Sequence, residues 1–182
     1  PPITWSNPAD IVYGTALSQT QLNATAGVAG SFAYDPAIGA VINAGSNQVL
    51  TATFTPTDTD NYGIAHASVE INVTKVSVTI TANDRAKVYG ETVTFAGTEF
   101  TTDGLINGNT VTNVTLSSAG SAAAAGVAGA PYSIIPSDPM GTGLDNYNVN
   151  FVNGSLTLSK AALSVTASSY NKTYNGLAYT GG

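Results

Sequence analysis

The 182-residue sequence predicts an all-β protein made of tandem immunoglobulin-like β-sandwich units arranged end to end. Three observations carry this expectation. Apolar residues alternate at period two, most clearly from Val49 to Thr55 and from Ala65 to Val73, the spacing of strands with one buried face. No stretch sustains the 3.6-residue period of an amphipathic helix. A strand-like lead-in followed by Tyr-Gly or Tyr-Asn-Gly also occurs three times, at Tyr13-Gly14, Tyr89-Gly90 and Tyr174-Asn175-Gly176. The second and third copies align without a gap, Val76–Gly90 falling on Ala161–Asn175 at a constant offset of 85 residues (174 − 89). Self-similarity at a fixed period is the mark of an array of like units.

The first unit is expected over residues 1–75. Ile3–Trp5 reads as an opening strand, and Asn7-Pro8-Ala9-Asp10 as a turn, since Pro8 disfavours helix at the residue before it. Ser31–Tyr34 reads as a strand running into the turn at Asp35-Pro36. Val49–Thr55 places Leu50, Ala52 and Phe54 on one face and Val49, Thr51 and Thr53 on the other. Pro56–Asn61 is a polar turn, and Ala65, Ala67, Val69, Ile71 and Val73 form the inward row of a closing strand.

The second unit is expected over residues 76–160. Ala119–Gly129, with four consecutive Ala between glycines, is far below the ~12 residues an isolated helix needs and reads as a strand edge and loop. Tyr147–Leu158 reads as a hairpin, because Asn153-Gly154 suits both positive-φ positions of a type I′ turn. That register would set Phe151 opposite Leu156 and Val149 opposite Leu158. An alternative for this unit is a β-grasp-like sheet. Residues 161–182 are the first strand and turn of a third, truncated unit, too short to close a core. Either the chain is cut from a longer array, or Leu163–Ala167 adds to the sheet edge of a neighbouring molecule. The junctions at Lys75-Val76 and Lys160-Ala161 carry no Gly/Ser- or Pro-rich spacer, so the last strand of one unit is expected to continue into the first strand of the next as a stiff rod.

Only 9% of residues are charged and the net charge is −6, with a pI near 4.3. Five Lys and Arg cannot build a phosphate-tracking patch, so nucleic acid is excluded as a partner and anionic membranes are disfavoured. No apolar run approaches the ~20 residues of a membrane-spanning helix. With no initiator Met and no apolar leader, the sequence is expected to be a mature product or an excised piece. Zero Cys removes disulfides, thiolate nucleophiles and Cys-based zinc sites.

The residues quoted for the first unit, with Val12-Tyr13-Gly14, Phe54–Asp58, Asn61-Tyr62 and Val69–Val73, resemble bacterial immunoglobulin-like repeats of large adhesins. Those of the second, Ile80–Ala82, Val88-Tyr89-Gly90, Asp145-Asn146-Tyr147 and Phe151–Leu158, resemble the MBG or YDG-type repeats of the same proteins. The resemblance implies a stalk or fibre segment of an extracellular bacterial adhesin or surface filament, with neighbouring repeats of the same or adjacent chains as partners. It transfers no catalytic residues. The alternative is a module that binds host or environmental glycan or protein through exposed Tyr and Asn.

Candidates for chemistry are few. His66 is the only His and sits in an alternating strand, so it reads as a surface or packing residue, and sites of several imidazoles are impossible. Asp58 and Asp60, beside Asn61, are the densest oxygen cluster and could ligate Ca²⁺, but the counterpart Leu144-Asp145-Asn146 lacks the first carboxylate, so they read as an ordinary Asx-rich turn and no cofactor is expected. Lys75, Lys87, Lys160 and Lys172 recur near strand ends and read as solvated gatekeepers against edge pairing, with Lys–Asn isopeptide staples as the alternative. Tyr13, Tyr89 and Tyr174, and the pairs Asn61-Tyr62 and Asn146-Tyr147 at the same offset of 85 (147 − 62), read as repeat markers whose rings pack at unit boundaries and whose hydroxyls bond backbone. An enzyme is not expected.

Overall fold

A computed structural model describes residues 1–169, 171, 173, 174 and 176. The described residues form strands, turns and two single-turn 3₁₀ segments, with no α-helix, so the protein is all-β as its periodicity requires.

Before Lys75 the strands are β1 (Ile3–Thr4), β2 (Ile11–Val12), β3 (Thr25–Ala26), β4 (Gly30–Asp35), β5 (Gly45–Pro56) and β6 (Ala65–Thr74). Four of them form one sheet in the order β2-β6-β5-β4, while β1 and β3 pair as a separate ribbon. The alternation of β5 is realised as read: Leu50, Ala52 and Phe54 are buried, and β6 buries Val69, Ile71 and Val73 against the same core. The layer opposite this sheet is mostly loop. Leu17 and Leu22 are buried there by a turn in which the Gln21 Oε1 accepts from the Ser18 N–H (3.1 Å) and hydroxyl (3.0 Å). Trp5 covers the turn, donating its indole N–H to the Gln21 carbonyl at 3.1 Å.

After Lys75 come β7 (Val76–Ala82), β8 (Arg85–Val88), β9 (Phe100–Asp103), β10 (Val111–Ser117), β11 (Tyr132–Gly141), β12 (Tyr147–Val152) and β13 (Gly154–Ser159). They form two sheets, ordered β12-β7-β9 and β10-β11-β13-β8, rather than one grasp-like sheet. Val78, Ile80, Val114, Ile134 and Leu156 are fully buried. Ala119–Gly129 contains no strand; it is turns and a 3₁₀ segment at Val127–Gly129, since residues this small offer a strand little to bury. Strands on either side of Lys75 pair only within their own group, and Lys75 is the sole residue between β6 and β7.

The hairpin expected at Asn153-Gly154 does not form. Strand β12 pairs in parallel with β7, placing Phe151 beside Ile80 and Val149 beside Val78. Strand β13 lies in the other sheet, with Leu156 between Tyr132 of β11 and Arg85 of β8. Neither Asn153 nor Gly154 takes a positive φ, which a type I′ turn would demand. Gly154 instead sits where a Cβ would stand 2.6 Å from the Ala82 carbonyl oxygen. Its missing side chain lets β12–β13 cross from one sheet to the other directly beside the same crossing of β7–β8. Tertiary closeness, not turn geometry, selected this glycine.

Residues 161–169 form no strand, and Leu163 (89%) and Val165 (86%) are exposed. A single strand has no sheet to join here. Lys172 and Asn175 lie outside the described residues.

Candidate functional site

Four of the ten residues that the sequence marks as repeated converge at one place, where the loops of the two strand groups meet. Tyr13 follows β2, its N–H held by the Thr74 carbonyl at the end of β6 (2.9 Å). Val12 to Thr15 close a turn through Thr15 N–H to Val12 O (3.0 Å), with Gly14 at φ +94° in its third position. That position requires φ > 0 in a type II turn, and glycine adopts it without a Cβ penalty. The turn aims the Tyr13 ring at Tyr147, edge to face with centroids 5.8 Å apart. Both rings are buried, and they belong to one continuous apolar cluster with Leu50, Ile71, Val73 and Val78.

A polar network runs through this apolar contact. Asn109 donates from Nδ2 to the hydroxyl oxygens of Tyr13 (2.8 Å) and Tyr147 (3.1 Å). The Tyr147 hydroxyl donates to the Ile106 carbonyl (3.1 Å) and accepts from the Ile106 N–H (3.0 Å). Beside it, the buried Asn146 accepts from the Ala44 N–H (2.7 Å) and donates to Asn43 Oδ1 (3.3 Å) and the Gly143 carbonyl (3.1 Å). The described residues hold no buried side-chain polar atom without a partner. Each such bond contributes about 1 kcal/mol net, but removal of one member strands buried partners at a larger cost.

The loop that supplies Asn109 is built by left-handed residues. Asn107 (φ +56°) and Gly108 (φ +70°) turn the chain, and Asn109 N–H closes on the Ile106 carbonyl at 3.1 Å. Ile106 reaches across so that a Cβ on Gly14 would stand 2.5 Å from its Cδ1. Gly143 leaves room in the same way for Asn109. The joint is therefore a ring-and-amide lock between two loops and a corner.

Of the marked residues, Tyr13, Gly14, Asn146 and Tyr147 meet here. Asn61 and Tyr62 are exposed in the β5–β6 turn; Tyr89 is half exposed, Gly90 lies in open space, and Tyr174 and Gly176 stand in solvent. Tyr13 bonds a side-chain amide rather than backbone. Asn109 and Ile106 were missed by sequence reasoning, although Asn107-Gly108 is a turn signal in plain view.

The remaining candidates sit apart. Asp58 uses both carboxylate oxygens on Asn61, accepting from its N–H (3.1 Å) and its Nδ2 (2.8 Å), and the side-chain bond chiefly holds the Asp58 pKa below its ordinary value. Among the described residues no three His, Asp or Glu side chains gather as a metal site would require. His66 faces solvent on β6, its Nδ1 3.1 Å from the Thr53 hydroxyl. Lys75 and Lys160 are exposed, but Lys87 is buried and corrects the solvated reading: its ammonium donates to the Glu91 (2.9 Å) and Ala122 carbonyls. These acceptors are backbone oxygens, not an Asn carboxamide.

Residues 78–157 match the family model of the MBG domain, YGX type. This range runs from within β7 to within β13, so the strand group after Lys75 is similar to an MBG-type repeat. MBG domains are repeat modules of surface proteins. No curated protein sequence matches the chain. No helix among the described residues is long and apolar enough to cross a membrane.

Proposed function

We propose, from the MBG-type match at residues 78–157, that this chain is a rigid stalk or fibre segment of an extracellular bacterial adhesin or surface filament. In this reading residues 1–75 and 76–160 are successive units and the protein is not an enzyme. Its task is to hold a distance. The observation that carries the reading is the buried Tyr13–Asn109–Tyr147 joint, which opposes bending between the two groups where a flexible linker would permit it. The one-residue break at Lys75 supports it, because the exit of β6 and the start of β7 share a short tether.

Small-angle scattering tests this reading. A compact domain of this length has a radius of gyration of about 16 Å. Two units set end to end give a clearly larger value, unchanged over salt and concentration. A value at the compact limit, or a broad distribution of distances, would overturn the rod.

A further inference from the structure

We infer that the Tyr89-Gly90 corner is the open half of a second joint, and that its occupant is a further unit of the same type as residues 76–160. The inference rests on the structural reading above and names the surface through which such units couple.

The two corners share their closing backbone bonds and glycine conformation, and Gly90 N–H donates in addition to the Ala123 carbonyl at 3.3 Å. Tyr89 N–H bonds the Ser159 carbonyl at 2.9 Å, as Tyr13 N–H bonds Thr74 at 2.9 Å. Glu91 N–H closes on Val88 O at 3.1 Å, as Thr15 closes on Val12 at 3.0 Å. Gly90 has φ +97° and Gly14 φ +94°. Their surroundings differ. Tyr13 is 7% exposed and Tyr89 49%. Ile106 fills the space at Gly14, whereas a Cβ on Gly90 would meet nothing within 4 Å.

What covers such a corner is visible at Tyr13: a loop carrying an apolar branch and an amide, with a Tyr ring beside it. A second copy of this chain cannot lend those groups, because its Ile106, Asn109 and Tyr147 are already held by its own Tyr13. Nor can it lend Asn61-Tyr62 in their place, since the turn next to them, Gly27–Ala29, is too short to carry counterparts of Ile106 and Asn109. A further unit can. Its lead-in already follows Lys160, since Ala161–Asn175 repeats Val76–Gly90, and Lys160 stands where Lys75 stands before the second unit. The same one-residue tether would deliver the same receiving loop to the same corner.

The test extends the chain beyond Gly182 with a second copy of residues 98–160, which completes the third unit in register. Hydroxyl-radical footprinting then reads the modification rates of Tyr89 and Tyr13 by mass spectrometry. In the 182-residue chain Tyr89 reacts faster than Tyr13; in the extended chain its rate falls to that of Tyr13. Gly90→Asn, which tolerates positive φ but fills the pocket floor, restores the fast rate. A Tyr89 that stays reactive while hydrogen exchange shows the third unit folded overturns the inference, and so does a third unit that fails to fold. Without any extension, Ile106→Ala combined with Asn109→Ala must raise Tyr13 to the rate of Tyr89; an unchanged Tyr13 overturns it too. Protection of Tyr89 that grows with concentration of the 182-residue chain would assign the corner to a second copy and overturn it as well. An extended radius of gyration beside an unprotected Tyr89 would remove this inference and leave the stalk reading standing.

Discussion

Glu99 is held by more donors than any other carboxylate among the described residues. Its two oxygens accept from the N–H groups of Ala96 (3.1 Å), Gly97 (3.0 Å) and Thr98 (3.1 Å), and from Arg85 (3.2 Å). The Ala96 bond is the largest cause of a pKa below the ordinary 4.5, partly offset by burial. Because the folded-state value is depressed, the unfolded chain binds more protons in acid. The stabilisation is complete above about pH 4.5 and is lost as pH falls through the lower folded value. In urea titrations between about pH 6 and pH 3, Glu99→Gln is expected to flatten part of the acid slope while leaving the slope due to Asp58. Identical slopes in the variant and the parent would refute the assignment. Lys87 shows what sequence cannot report at this scale. In the strand pattern it resembles any edge lysine, yet the carbonyls of Glu91 and Ala122 make its buried place possible. Those acceptors come from a turn and from the Ala-rich segment, neither of which announces a cation site.

Strand identity was legible because period two is a local signal; strand partnership was not. Val49–Thr55 and Ala65–Val73 appear where their alternation places them. Asn153-Gly154 misled because the dipeptide satisfies a turn rule that the surrounding sheets override. The parallel register of β12 on β7 depends on residues some 70 positions apart (147 − 76), beyond the reach of any local rule. Gly154→Val provides a direct check. A side chain there collides with the Ala82 and Asn83 carbonyls, at 2.6 and 2.8 Å from its Cβ, and both crossings must shift. The expected loss is about 1–3 kcal/mol or more, read as a lower urea midpoint. A hairpin turn at this point would tolerate Val poorly for a different reason, its φ, so Gly154→Asn separates the cases: a true I′ turn accepts Asn, and the crossing does not.

For the whole molecule, the notable point is that the core does not stop at Lys75. Val78 and Tyr147 belong to the same apolar cluster as Leu50 and Ile71, so the two strand groups share buried area as well as a tether. Their unfolding is therefore expected to be coupled, with a single thermal transition in the parent protein. Asn109→Ala leaves the Tyr13 hydroxyl without its amide donor, costs about 1–3 kcal/mol, and is expected to split or broaden that transition in calorimetry. A uniformly shifted single transition would place the coupling elsewhere. The markers of this joint were half legible: repetition singled out Tyr13 and Tyr147, while Asn109 occurs once and no period exposes it.

The parallel pairs have one more consequence. Strand β8 runs alongside β13, and β7 alongside β12, each pair in the same direction. A pull that draws Val76 one way and Ser159 the other slides these strands lengthwise past each other. Every hydrogen bond of the pair is then loaded together in shear, rather than peeled one at a time as at the open end of a hairpin. Under tension the ladder would hold until it fails as a whole.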